Sequence, residues 1–186
     1  MKTFKVSDLM VPLSEYASVP ENATLYEAVC ELEKAQAAFD HSRYRHRAVL
    51  VYDKLGHIVG KISQLDILRA LEPKYDEMLD REGLHHFGFS RKFMQSMLAH
   101  YQLWTKPLED ICREAGEKTV GQFMHTPREG EFVEESAGMD EAIHQLVLGH
   151  HQSLLATRGR EIVGILRLTD VFGAIFHTMK QCHRTG

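Results

Sequence analysis

The chain says one thing twice, and that duplication limits what it can fold into. The run Val59–Asp66 reappears as Val163–Asp170, with glycine and aspartate six positions apart in both copies. Upstream, Val6, Met10, Leu25, Glu27 and Ala28 recur as Val120, Met124, Met139, Glu141 and Ala142. The upstream matches lie 114 positions apart and the downstream ones 104, so the first copy holds ten more residues between Ala28 and Gly60. A repeat of about 60 residues occurring only twice is too long and too few for a solenoid. It reads as two similar half-modules that bury a common face.

Each copy carries the same order of elements. In the first, Ser18-Val19 ends an extended segment, and a helix follows with Thr24 as N-cap and Glu27 closing a capping box. Leu25, Ala28, Val29, Leu32 and Phe39 keep helical spacing on one face. Ala48–Tyr52 is a buried strand, Asp53–Gly56 a hairpin turn, and His57–Ile62 the returning strand. Asp66 opens a second helix through Ile67, Leu68 and Leu71, which Pro73 ends. In the second copy Phe132-Val133 is the extended segment, and a helix from Gly138 turns Met139, Ala142, Ile143, Leu146 and Val147 inward. Ser153–Ala156, a turn at Arg158–Arg160 and Ile162–Leu166 make the hairpin. A closing helix runs from Asp170 through Val171, Phe172, Ile175 and Phe176. The surplus of the first copy is expected in Ala37–Arg47. The expected organisation is repeat 1 over 1–72, a helical insert over 73–117 and repeat 2 over 118–180.

The insert has no counterpart elsewhere in the chain. Ser90 caps a helix whose Phe93, Met94, Met97, Leu98 and Tyr101 form an apolar stripe. Leu108, Ile111, Cys112 and Ala115 form another, closed by Gly116, with Trp104 at the joint beside Pro107. Such stripes pack on their own domain or cover a partner chain.

Composition narrows the class of function. A net charge of −4 lacks the electrostatic footprint of a nucleic-acid binder. The local basic cluster His41–Arg47 is read as solvated charge. Three widely spaced cysteines, Cys30, Cys112 and Cys182, argue for reduced thiols and a cytoplasmic protein. No apolar run approaches the roughly 20 residues that span a bilayer, and the N-terminus lacks the apolar stretch of a signal peptide.

The repeated residues resemble the tandem cystathionine-β-synthase (CBS) domain. That family's hallmark is a glycine, two apolar-leaning positions, Ser or Thr, two further residues and an Asp at the last helix. Gly60, Ser63 and Asp66 match it fully. Gly164 and Asp170 match, but Arg167 stands where Ser or Thr is expected. The openings around Val6–Met10 and Val120–Met124 are also similar to the family. The resemblance covers residues 1–72 and 118–180. It implies an α+β (mixed α/β) fold: two β-α-β-β-α repeats packed sheet to sheet about a pseudo-twofold axis, with a helical insertion and two clefts between the repeats.

Members bind adenosine-containing ligands such as AMP, ADP, ATP or S-adenosylmethionine, so the resemblance implies a bound adenine nucleotide or S-adenosylmethionine with no required cofactor. A carboxylate accepts two charge-assisted hydrogen bonds from a ribose diol, the role implied for Asp66 and Asp170. A helix start favours phosphate, and Ser63 or Thr169 adds a hydroxyl. Ser18, Val19, Ala48 and Val49, and in the second repeat Phe132, Val133, Ser153 and Leu154, offer backbone groups and apolar walls to adenine. Gly60 and Gly164 complete the candidate sets. The plainer reading is that Ser63, Asp66, Thr169 and Asp170 only cap helices and the glycines only permit close packing. Arg167 either favours a di- or triphosphate, or fills the cleft or pairs with Asp170 and closes it.

Rival classes find little support. The chain has no nucleophile elbow, P-loop or metalloprotease helix, so no catalytic residue is assigned and the protein is read as a non-enzyme. Twelve histidines include His144, His150 and His151, but no tight ligand pair accompanies them, and no metal site is assigned. The expected function is a sensor that binds an adenosyl ligand in the cleft between the repeats and signals in trans to an unidentified protein effector. The resemblance further implies a homodimer with the last helices and the Met10 and Met124 segments near its interface. The alternative is a ligand-free dimerisation module acting through its insert.

Overall fold

Both expected hairpins form, and each is the centre of its own sheet. The computed structural model of the chain describes residues 4–37, 46–75, 78 and 90–184. Along the chain the elements are α1 (Val6–Leu9), β1 (Val11–Pro12), β2 (Ser18–Pro20), α2 (Leu25–Ala37), β3 (Ala48–Tyr52), β4 (Ile58–Ser63) and α3 (Gln64–Leu71). They continue with α4 (Arg91–His100), α5 (Leu108–Gly116), β5 (Phe132–Glu134), α6 (Met139–Leu148), β6 (Ser153–Arg158), β7 (Glu161–Arg167) and α7 (Leu168–Arg184). One sheet has the order β2-β3-β4 and the other β1-β7-β6-β5. In both, the central strand pairs parallel to the short strand before the helix and antiparallel to its hairpin partner.

The chain divides into two compact units that interleave along the sequence. One is drawn from the described parts of 18–33 and 47–125, the other from the described parts of 1–17, 34–46 and 126–186. The cause is visible in the hydrogen bonds. The opening segment of each copy is stitched to the other copy's helix start and hairpin. Val6 N donates to Ala137 O, Met139 N to Phe4 O, and Val11 and Pro12 pair with Ile165 and Gly164. In the other unit, Val120 N donates to Ala23 O, Leu25 N to Lys118 O, and His125 pairs with Lys61. Apart from the Pro12–Gly164 pairing, each contact in one set is the repeat equivalent of one in the other.

The duplicated glycines are explained by this stitching. A Cβ on Gly60 would stand 2.5 Å from Met124 Sδ and 3.2 Å from the His125 carbonyl oxygen. A Cβ on Gly164 would stand 2.7 Å from the Val11 carbonyl oxygen and 3.0 Å from Met10 Sδ. Glycine inside a strand marks such a close approach by another backbone. The sheets also share an irregularity at one place, between Val51 and Tyr52 and between Ala156 and Thr157.

The core of the second unit joins Val6, Val133, Ala142, Leu146, Leu154, Ala156, Leu166 and Val171, all buried. Val120 is equally buried in the first. Local signals were honoured where they were polar. Thr24 and Glu27 form the capping box, with Glu27 N on Thr24 Oγ1 at 3.2 Å and Thr24 N on Glu27 Oε2 at 2.7 Å. Asp53 Oδ1 accepts from Leu55 N and His57 N to close the hairpin, and Gly56 takes a φ of 83°.

Several expectations change. The two motif aspartates do not open their helices: α3 starts at Gln64 and α7 at Leu168, so each aspartate is the third helical residue. The preceding motif position ends the strand and turns the chain, and the aspartate reaches back to it. One of the ten extra residues lies in the first hairpin, where five residues separate Tyr52 from Ile58 against four between Thr157 and Ile162. Helix α2 takes three more, with 13 residues against 10 in α6. Residues 38–45, including Phe39 and most of the basic cluster, lie outside the described residues. His46 of that cluster is buried, edge-on to Tyr16 with centroids 4.4 Å apart, rather than solvated.

Helical spacing overestimated the buried faces. Val29, Leu68, Val147, Phe172 and Phe176 are exposed. Of the second insert stripe, Ile111 and Ala115 are buried, whereas Leu108 and Cys112 face solvent. Helix α4 buries none of its residues. Cys112 and Cys182 are exposed and outside any disulfide, and Cys30 is half-buried. Helix α6 stops at Leu148, and His150 adopts a φ of 51°, so His144 and His151 do not share a continuous helix.

Candidate nucleotide site

In the first unit the motif builds a turn from strand to helix. Ser63 ends β4 and caps α3, its Oγ accepting from Asp66 N at 3.3 Å. Asp66 Oδ2 accepts in return from Ser63 N at 2.8 Å and Ser63 Oγ at 2.6 Å. This is the reciprocal capping box, and it commits one carboxylate oxygen. The other, Oδ1, lies 3.9 Å from the Arg69 guanidinium one helical turn on. Asp66 and Arg69 line an open cavity of about 230 Å³ together with Gln122, Phe123, Met124 and His125. An acid that can accept a diol and a base that can meet a phosphate therefore face the same space.

The other nominated residues of this unit sit on its sheet and do not line that cavity. Val19 and Val49 are buried, so their side chains are core, while Ser18 is exposed. Ala48 pairs with Ser63 and Val49 with Ile62, but β2 runs alongside β3 only from Leu50. Ala48 and Val49 thus reach past the first residue of β2, which is where a strand has backbone groups to offer. Gly60 is covered by Met124.

Arg69 and His125 are site residues that the motif alone did not reveal. Arg69 was available from spacing, since a residue three beyond Asp66 shares its helical face. His125 was available from the repeat, as the counterpart of Val11, whose strand position it shares.

In the second unit the same turn is built differently. Arg167, at the position of Ser63, is only 5% exposed. Its Nε donates to Asp170 Oδ2 at 2.5 Å and its Nη2 to Asp170 Oδ1 at 2.7 Å. Both carboxylate oxygens are engaged by one guanidinium. Of the two roles open to Arg167, the structure has it paired with Asp170. Val133 and Leu154 are core, Ser153 is buried opposite Arg167, and Phe132 O accepts from Gln145 Nε2 at 3.2 Å. Ser153 and Leu154 reach past β5, whose pairing starts at Leu155. Thr169 is half-buried and Gly164 is covered by Met10 and Val11. Nearby, burial pushes the Tyr16 phenol up to about 12, a rise that Arg167 opposes and Asp170 reinforces.

The insert joins the first unit at the far end of α3. Glu72 Oε2 accepts from Trp104 N at 2.9 Å, and Trp104 Nε1 donates to Tyr75 Oη at 3.0 Å. Lys74 Nζ bonds the Tyr101 and Gln102 carbonyls at 3.1 and 3.0 Å. A second open cavity, of about 320 Å³, is lined there by Glu72, Lys74, Lys106, Ile111, Glu114 and Lys118 among others. Its cations are already engaged: Lys106 pairs with Glu114 at 2.7 Å and Lys118 lies over the Phe123 ring. Among the described residues no cluster of His, Cys, Asp or Glu is arranged to hold a metal ion, and no helix is long and apolar enough to cross a membrane.

The CBS domain family matches residues 6–73. That stretch is a CBS domain. The second copy repeats its fold, and the whole chain has the fold of CBS-domain pairs. It is similar to the CBSX2 protein solved in complex with AMP, at 17% identity and a TM-score of 0.58, covering 94% of this chain and 97% of that one. It is also similar to a CBS-domain protein from Agrobacterium tumefaciens, at 16% identity and a TM-score of 0.56, covering 94% of each chain. A CBS-domain protein of unknown function from Bacillus anthracis matches at 18% identity and a TM-score of 0.59, again over 94% of each. No curated protein matches the chain in sequence. CBS domains are regulatory modules, and nothing in these likenesses is specific to an enzyme.

Proposed function

We propose that this CBS-domain protein is a metabolite sensor that binds an adenosine-containing ligand at Asp66 and signals to a protein partner in trans. The observation that supports this most is the polar cavity onto which Asp66 and Arg69 both open. Asp66 keeps an oxygen outside the capping box for a ribose hydroxyl, and Arg69 stands where a phosphate attached to that ribose would lie. The backbone of Ala48 and Val49, which extends past the first residue of β2, serves the adenine. AMP, bound by CBSX2, is the first ligand to try, with ADP, ATP and S-adenosylmethionine beside it. Helix α3 runs from Asp66 to the grip on Trp104, so the insert is the part of the first unit best placed to report occupancy.

The test is calorimetric titration of these ligands into the wild-type chain and into Asp66→Asn. Asparagine retains an acceptor for Ser63 N, so the helix cap survives while the charge is lost. The expected result is binding to the wild type, weakened at least about tenfold in D66N, in line with the loss of a charge-assisted bond. Equal affinity in the two proteins would refute the role given to Asp66.

A second reading, assembly without a ligand, has its own support. Leu168, Phe172, Phe176 and Met179 form an exposed apolar stripe along α7, with the Phe172 and Phe176 rings stacked 6.3 Å apart. We read this stripe as the contact of a homodimer, which serves either function.

A further inference from the structure

We infer that Arg167 silences the second of the duplicated sites, so that each chain takes up one nucleotide at Asp66 and none at Asp170. This rests on the proposed role of Asp66. The two units supply an internal comparison, since Ser63 and Arg167 occupy one position of the repeat, as do Asp66 and Asp170. Ser63 is short. It engages a single oxygen of Asp66 and leaves the other outside the capping box, 3.9 Å from the Arg69 guanidinium, on a residue that lines an open cavity. Arg167 presents a planar fork, and that fork takes both oxygens of Asp170 in parallel, 2.5 and 2.7 Å away.

A ribose diol needs the same lone pairs that the guanidinium holds. The side chains of the pair are 6% and 15% exposed, so their attraction is little screened. Opening the pair for a ligand would strand a buried guanidinium as well as free the carboxylate, a change that weakens binding by about a hundredfold or more. The cation is thus an internal substitute for the ligand's hydroxyls. Arginine is the residue suited to this; lysine, with one ammonium, cannot fork onto both oxygens.

The experiment is isothermal titration of AMP into the wild type, D66N, D170N, R167S and the double variant D66N/R167S, each with its unliganded melt recorded. The wild type is expected to bind one AMP per chain, and D170N to bind it with the same stoichiometry and an affinity within about twofold. R167S recreates the Ser63–Asp66 arrangement and is expected to bind two, the new site within about tenfold of the first. D66N/R167S is expected to keep one strong site where D66N has none. Two AMP per chain in the wild type, loss of binding in D170N, or a single site in R167S would each overturn the assignment while leaving Asp66 standing. Unchanged binding in D66N would instead remove the reading on which it rests, and no AMP binding by any variant would remove both. The stoichiometry of the wild type, set beside D66N, keeps the test decisive even where R167S or D170N melts too early to titrate.

Discussion

Gly164→Ala and Gly60→Ala offer a matched pair, because the same position of the repeat meets two different obstacles. At Gly164 a methyl would lie 2.7 Å from the carbonyl oxygen of Val11, a buried residue fixed in the ladder with Ile165. The backbone has to move, and overpacking of that kind costs about 1–3 kcal/mol. Replacing a strand glycine by alanine returns about 0.5–1 kcal/mol of conformational entropy. Taken at the middle of each range, the net loss for G164A is about 1–2 kcal/mol. At Gly60 the closest atom is the sulfur of Met124, 2.5 Å away, the flexible end of a half-buried side chain that can turn aside. The remaining contact, 3.2 Å to the His125 carbonyl oxygen, asks only a few tenths of an ångström. For G60A the two terms nearly cancel, giving a change of about 0.5 kcal/mol or less. For a chain of this size G164A is expected to lower the Tm by about 2–8 °C and G60A to leave it nearly unchanged. Urea unfolding and thermal melts of both variants measure this. A loss in G60A as large as that in G164A would refute the reasoning, since it would show that the backbone crossing and not the obstacle's rigidity sets the cost.

Other expectations follow from single contacts. The folded-state pKa of Tyr16 lies near 12 against an ordinary 10, so the stability it contributes is complete below pH 10 and is lost as pH rises toward 12. Melts should fall across that interval by up to about 2–3 kcal/mol, and Tyr16→Phe should flatten the fall. Thr24→Ala removes the acceptor for Glu27 N and should cost about 1 kcal/mol in urea unfolding. Lys106→Ala breaks an ion pair whose side chains are 56% and 59% exposed and should change stability by less than about 0.5 kcal/mol. Phe172→Glu places a charge on the exposed stripe of α7 and should yield monomers in sedimentation without lowering the melt of each chain.

What could be read from the residues was what neighbours along the chain decide. The Thr24–Glu27 box, the Asp53–Gly56 turn and the Ser90 cap each depend on groups within a few positions, and each is found. The duplication located both hairpins because strand, turn and strand travel together. Periodicity failed where it had to choose which apolar residues meet a core: Phe172 and Phe176 fit the stripe of α7 as well as Val171 and Ile175 do, yet they stay in solvent. It also placed Asp66 at a helix start, because a residue that bonds back to its own cap resembles one. The part hidden from any local pattern was the pairing of Val11 with Ile165 and of His125 with Lys61, contacts made across long stretches of chain. For the candidate site, the motif supplied the carboxylates, while the difference between a serine that bonds one oxygen and an arginine that takes both needed coordinates.

The crossing of opening segments also fixes an order of events during synthesis. Residues 4–12 leave the ribosome well before the groove that receives Val6 and the strand that receives Val11, which are made of residues from Val133 to Val171. This opening segment is therefore seated late, waiting while the described parts of 18–33 and 47–125 already contain every strand of their own sheet. A nascent chain halted after His125 would hold one finished module with a dangling leader. That leader, supplied afterwards with the missing remainder as a separate polypeptide, should still find its berth.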